Sequence, residues 1–384
     1  MSLSLERTDR SNVVCEPHGG DVEAVSRQYD VPANALLDFS ASINPVGPPS
    51  GVIARLSREA VDGRLLTRYP DPRYSELRVT LAGHLGVAAE SLAIANGSAA
   101  LLGAIFRVDT PPTCVLAVPA FAEHSRALRA AGCAIEPFPL RVTDGFRPDV
   151  ACLCQTIEAR RPALCLLTNP HNPSGVLIPL PDMERVVLAA ERGATRVIID
   201  EAFIDYSPAE SLTSQATRSE RLVVIRSLTK FYGMPALRVG YAVSTPTVAA
   251  RIDEQLPPWP VTTFAASAGA EALADADYAR RTLAVTAGER KWLQEELARA
   301  GIEPYESAAN FLLLRLPETM PDSTSLRAQL IRQHHIIVRD CRSFEGLEDG
   351  RFIRVAVRSR ADNTRLVRAL SVVARPSPVE SRHS

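Results

Sequence analysis

The chain is 384 residues long, 46% hydrophobic and 23% charged, with 43 basic and 44 acidic residues and a formal net charge of −1. That balance speaks against a protein that binds nucleic acid by neutralising phosphates, and against one held to a membrane by a polybasic segment. Only two of the 43 cations are lysines, Lys230 and Lys291, so chemistry that needs a primary amine has two side chains to draw on.

In chain order, the first run, MSLSLERTDRSN, is polar and lacks the apolar core of a signal peptide. No later stretch reaches the ~18 apolar residues of a membrane span, and the expected compartment is the cytoplasm. Residues 1–45 have no core of their own and are expected to pack on a second lobe. Between residues 92 and 243, short apolar runs alternate with helical patterns. Strands are predicted at 92–95, 113–118, 163–168, 196–200, 222–226 and 238–243. Runs apolar on both faces and separated by helices predict an α/β fold. Its mostly parallel sheet is covered on both sides and belongs to a large domain over 46–264. From 264 to 300 the chain is rich in Ala, Arg and Glu at helical spacing, one long helix or two. Strands at 310–316, 335–340 and 351–357, with a helix near 325–333, predict a smaller α+β domain over 265–384. Its tail, 375–384, is expected to fray. The seven cysteines form no CxxC pair, which fits a reducing compartment and no metal site.

Four strand ends carry chemistry. Lys230 follows the apolar run LVVI in RSLTKFYGMPALRVGY (226–241); desolvation near other cations would favour its neutral amine, which suits a Schiff-base nucleophile. A surface lysine has the same spacing, and the spacing does not choose between them. Asp200 closes RVIID, where a carboxylate can pair with a protonated ring nitrogen or merely cap the next turn. Asn169 leaves the sheet in TNPHNPSG. The turn Asn96-Gly97-Ser98 opens a helix whose free N–H groups can hold an anion. Arg339 and Arg354, on strands of the second domain, offer planar forks for carboxylate or phosphate. Ser227-Leu-Thr-Lys230 also fits the S-x-x-K of serine acyl-enzymes, but Lys291 is followed by Trp and no K-T-G exists.

These runs together, with DEAF (200–203) and TNPHNPSG (168–175), resemble the fold-type I pyridoxal phosphate enzymes of the class I/II aminotransferase group. HGGD (18–21), DFSASINP (38–45), RYPDPRYSELR (68–78), PAFAEHSRAL (119–128) and QLPPWP (255–260) are similar to the L-threonine-O-3-phosphate decarboxylases of cobalamin biosynthesis. The resemblance implies an aspartate-aminotransferase-like fold and pyridoxal 5′-phosphate bound to Lys230. It implies Asp200 at the ring nitrogen, Asn169 at the phenolic oxygen and Phe121 against the ring face. Ser98, Ala99, Ser227 and Arg238 would hold the cofactor phosphate, and Tyr69 would reach it across a homodimer interface. Arg354 would take the substrate carboxylate, and His18, Asn44 and Arg339 the phosphate of a phosphorylated amino acid. The implied reaction gives (R)-1-amino-2-propanol O-2-phosphate. The alternative is a histidinol-phosphate-type aminotransferase using 2-oxoglutarate, whose family generally has tyrosine where this chain has Phe203.

Overall fold

The computed structural model describes residues 18–374; the expected fraying of 375–384, and the first 17 residues of the N-terminal segment, lie outside them. The described part of the N-terminal segment carries helix Val22–Tyr29, started by Asp21, whose carboxylate accepts from Ala24 N at 2.9 Å. It continues into a short strand, β1 (Leu37–Asp38).

A seven-stranded sheet follows: β2 (Leu92–Asn96), β3 (Thr113–Val118), β4 (Ala134–Pro139), β5 (Leu164–Thr168), β6 (Arg196–Asp200), β7 (Leu222–Ser227) and β8 (Val239–Val243), in the order β2-β8-β7-β6-β5-β3-β4. All neighbours are parallel except that β8 runs antiparallel to both β2 and β7. β5, β7 and β8 are buried at every position and β6 at all but Arg196. Val, Ile and Leu fill both faces, as a sheet covered by helices requires. The run AIEPFP of β4 was not expected as a strand. It sits at the sheet edge, and Ala134 N and Leu140 N both donate toward β3, to Pro112 O and Val118 O. Pro137 and Pro139 therefore turn their missing N–H outward, where no ladder needs it.

The helical stretch after the sheet is two helices, Thr263–Ala274 and Ala276–Arg299. Asp275 stops the first and caps the second by accepting from Tyr278 N at 2.8 Å. The second lobe is a four-stranded antiparallel sheet, β12-β13-β10-β9, built from β9 (Glu303–Pro304), β10 (Phe311–Arg315), β12 (Arg339–Asp340) and β13 (Phe352–Ala356), with helices Ser323–His334 and Arg360–Ala374. The run HIIVRD is split. Ile336–Ile337 forms β11, parallel to β1, while Arg339–Asp340 turns to pair with β13. Leu37 and Phe39 join the core of this lobe, beside Leu312, Leu326 and Val355. No described helix is long and apolar enough to cross a membrane.

Candidate active site

Because β8 is antiparallel to β7, the residue before β8 lies at the same sheet edge as the residues that end β2, β5, β6 and β7. That edge gathers Ser98, Thr168, Asp200, Ser227 and Arg238 around a cavity of about 400 Å3, with Lys230 three residues past Ser227. The second lobe closes it with Arg339 and Arg354, and the N-terminal segment with His18 and Ser42.

At one end, the helix Ser98–Asp109 begins with no side-chain cap, so the N–H groups of its first turn face the cavity as a ready anion site. Two glycines permit the approach. A Cβ on Gly97 (φ +78°) would lie 2.7 Å from Arg238 Nη2, and one on Gly240 would lie 2.5 Å from Ser98 N. Ser227 Oγ and Thr229 Oγ1 are 2.7 Å apart beside them.

Lys230 stands between this cradle and the second lobe. Burial, then the nearby Arg354 and Arg238, push its ammonium down to about 8; Asp200 opposes them. Asp200 Oδ1 accepts from Ala202 N at 3.0 Å, and Oδ2 is 2.9 Å from Nε2 of the fully buried His124. Glu201, next in sequence, faces away. It accepts from Leu212 N at 2.8 Å and from Ser211 Oγ at 2.5 Å, and burial pushes its carboxyl up to about 7. Phe121 lines the cavity wall, edge-on to His124 with ring centroids 5.6 Å apart.

Arg339 and Arg354 are cross-strand partners on β12 and β13, so their side chains leave the same face of the sheet. Arg354 is buried, which pushes its guanidinium down to about 10. It donates to Asn172 Oδ1 and to Ser40 O, and its Nε has no partner. Arg339 donates to Ser343 Oγ at 2.5 Å and lies over the Phe344 ring at 5.4 Å.

Two residues expected in this cavity are elsewhere, and one expected across an interface lies outside it. Asn169 is folded back under its own loop: Nδ2 donates to Ile178 O at 3.0 Å and Oδ1 accepts from Ile178 N at 2.8 Å. The cavity amide is Asn172, the second asparagine of TNPHNPSG, which the N-P-S-G turn could have signalled. Asn44 also turns away. Its Nδ2 lies 2.6 Å from Phe231 O and 2.8 Å from Tyr278 Oη, and its backbone N donates to Lys230 O at 3.3 Å. It braces the chain around Lys230, while Ser42 lines the cavity with a buried, unpartnered hydroxyl. Tyr69 is 79% exposed, stacked on Trp259 at 4.4 Å, and lines no part of this chain's own cavity. His124 was missed because its neighbours in PAFAEHSRAL give no hint that Asp200 lies opposite. Lys291 is exposed on the helix Ala276–Arg299.

The family described as aminotransferase class I and II matches residues 34–370. A threonine-phosphate decarboxylase of Salmonella typhimurium is 36% identical, with 92% of this chain and 95% of that protein covered. Histidinol-phosphate aminotransferase 1 of Psychrobacter arcticus is 28% identical, covering 92% and 90%. The structure of histidinol-phosphate aminotransferase from Sinorhizobium meliloti in complex with pyridoxal-5′-phosphate superposes with a TM-score of 0.83 at 25% identity, covering 97% and 98%.

Proposed function

This chain belongs to the class I and II aminotransferase family, and from that premise we propose that it decarboxylates a phosphorylated α-amino acid, L-threonine O-3-phosphate, to 1-amino-2-propanol O-2-phosphate, a building block of cobamides. The cofactor is pyridoxal 5′-phosphate, and the cavity holds a group suited to each of its parts. The helix start at Ser98 and Ala99, with Ser227 and Arg238, suits its phosphate; Asp200 suits the ring nitrogen, Asn172 the phenolic oxygen and Lys230 the aldehyde carbon. The glycine-dependent closeness of Arg238 and Ser98 is what a small tetrahedral anion needs. When bound, the cofactor supplies a sink for the electron pair released at the substrate α-carbon.

The chain's own residues do the rest. Lys230, pushed down to about 8, presents a substantial neutral fraction near neutral pH, fit both to attack a carbonyl carbon and to carry a proton to the α-carbon. Asp200, fixed by Ala202 N and His124, holds a proton on the ring nitrogen. Which bond breaks at the α-carbon depends on which stands perpendicular to the ring, so the groups that grip the substrate's anions select the reaction.

One observation carries the reading: Arg339 and Arg354 are paired across β12 and β13 and line the cavity from the second lobe, whereas the cradle at Ser98 belongs to the edge of the large sheet. Two forks beyond the cofactor's own anion site suit a substrate with two anions, a carboxylate and a phosphate. The reading includes a two-fold homodimer in which Tyr69 serves the partner's cofactor phosphate. Its support is the aromatic pair Tyr69 and Trp259, stacked on each other and left 79% and 44% exposed.

The test supplies the holoenzyme with O-phospho-L-threonine and measures CO2 and 2-oxoglutarate-dependent glutamate side by side. Release of CO2 without any need for 2-oxoglutarate is expected. Glutamate without CO2 would replace this reading by the aminotransferase one, which uses the same residues.

A further inference from the structure

Two carboxylates line the cavity. Asp200 is at its floor, and Glu123 is at its mouth, where a phosphate-binding site would be expected to exclude acids. Glu123 is only 12% exposed, and both of its oxygens are engaged. Oε2 accepts from Arg126, and Oε1 is 3.0 Å from His18 Nε2. The His18 ring lies 5.6 Å from the Phe121 ring. Hydrogen bonding to Arg126, more than any other contact, holds the Glu123 carboxyl below its ordinary range.

An ionised carboxylate can only accept. It therefore fixes the proton of a neutral His18 on Nε2 and leaves a lone pair on Nδ1. Nδ1 cannot then donate to an anion until the ring takes up a second proton. The other charged groups that line the cavity with His18 are Lys230, Arg238, Arg339, Arg354 and Asp200. Glu123 hydrogen-bonds to the ring itself.

We propose that Glu123 is a positioning residue that sets the proton on His18, so that the substrate's phosphate is captured only together with a proton taken up at His18 Nδ1. The claim rests on the reading above that a phosphate binds at this mouth. The balance is simple: one solvent proton is bound per phosphate dianion, and the imidazolium bridges Glu123 and the anion. Discrimination for the phosphorylated substrate then weakens as solvent protons become scarcer.

The test uses the holoenzyme and methyl phosphate, which has neither amine nor carboxylate, between pH 7.5 and 9, where a monoester is almost wholly dianionic (second pKa about 6). Calorimetry in two buffers of different ionisation enthalpy counts protons. Expected is uptake approaching one proton per ligand, with Kd rising about tenfold per pH unit, the slope for one linked proton. In Glu123→Gln the carboxamide can rotate to donate, leaving Nδ1–H on the neutral ring, so uptake should vanish and Kd should become flat. His18→Asn should also bind without uptake. The proposal is overturned if the unmodified protein binds methyl phosphate without proton uptake or fails to bind it, or if Glu123→Gln keeps the uptake. If uptake is seen while O-phosphothreonine is not decarboxylated, the substrate reading falls and the role of Glu123 stands.

Discussion

Asn169 and Asn172 are three residues apart in one turn, and the fold gives them different work. Both amide groups of Asn169 are spent on Ile178, whereas Asn172 Oδ1 meets Arg354 in the cavity. Asn169→Ala should therefore lower stability by about 1–3 kcal/mol, the cost of leaving buried partners unpaired, with kcat little changed in the protein that remains folded. Asn172→Ala should cost less stability than Asn169→Ala, because Arg354 keeps Ser40 O and faces the cavity, but should lower kcat/KM about ten- to a hundredfold, as loss of a hydrogen bond to a charged group implies. Thermal melts and steady-state kinetics on the two variants check this, and the reverse pattern would restore the sequence-based assignment. The same limit explains Asn44. A sequence shows that an amide stands near a strand end but not which way it turns, because the residues it turns toward, Phe231 and Tyr278, are about 190 and 230 positions away. Lys230, Asp200, Ser227 and Arg238 were legible because each is fixed by the strand beside it. His124 was not, since only the pairing of β3 with β5 and β5 with β6 brings its helix opposite Asp200.

The elements themselves read well where burial is uniform and poorly where it is not. β5 through β8 were visible as unbroken apolar runs. β4 was hidden by its prolines, which an edge tolerates, and the run at 335–340 was read as one strand although it serves two sheets. Such choices depend on neighbours outside the segment. Two glycines make the difference testable. Gly240 on β8 faces the start of the helix Ser98–Asp109, and an added Cβ would lie 2.5 Å from Ser98 N and 2.7 Å from Gly97 C. Both contacts are backbone, so nothing can swing aside. Gly240→Ala should push the anion cradle open and weaken retention of pyridoxal phosphate tenfold or more (about 1.4 kcal/mol), measured as cofactor loss on gel filtration. Gly288, inside the helix Ala276–Arg299, has no atom within 4 Å of its added Cβ. Gly288→Ala should raise stability by about 0.5–1 kcal/mol and leave cofactor retention alone. Equal effects at the two sites would show that the closeness at Ser98 does not matter for the cofactor.

At the scale of the whole molecule, the proposed homodimer turns on what Tyr69 would bring to the partner's cavity. The N-terminal segment and the second lobe are already closed over the sheet edge, through β1 on β11 and through Arg354 on Ser40. Tyr69 instead is 79% exposed, with its ring stacked on Trp259, itself 44% exposed. A stacked aromatic pair left in solvent suits a surface that a second copy covers. Two-fold symmetry would place two such pairs near two cavities. The consequence can be separated from simple dimerisation by mixing variants. Lys230→Ala alone should be inactive and Tyr69→Ala alone impaired. In a mixed dimer with shared sites, one cavity carries both defects. The other carries neither, because its Lys230 and its Tyr69 come from the two unaltered positions. Co-refolded mixtures should therefore regain activity beyond the sum of the parents, toward one fully active site per mixed dimer. If each cavity used its own Tyr69, every mixed dimer would hold one dead and one impaired site, and mixing would gain nothing.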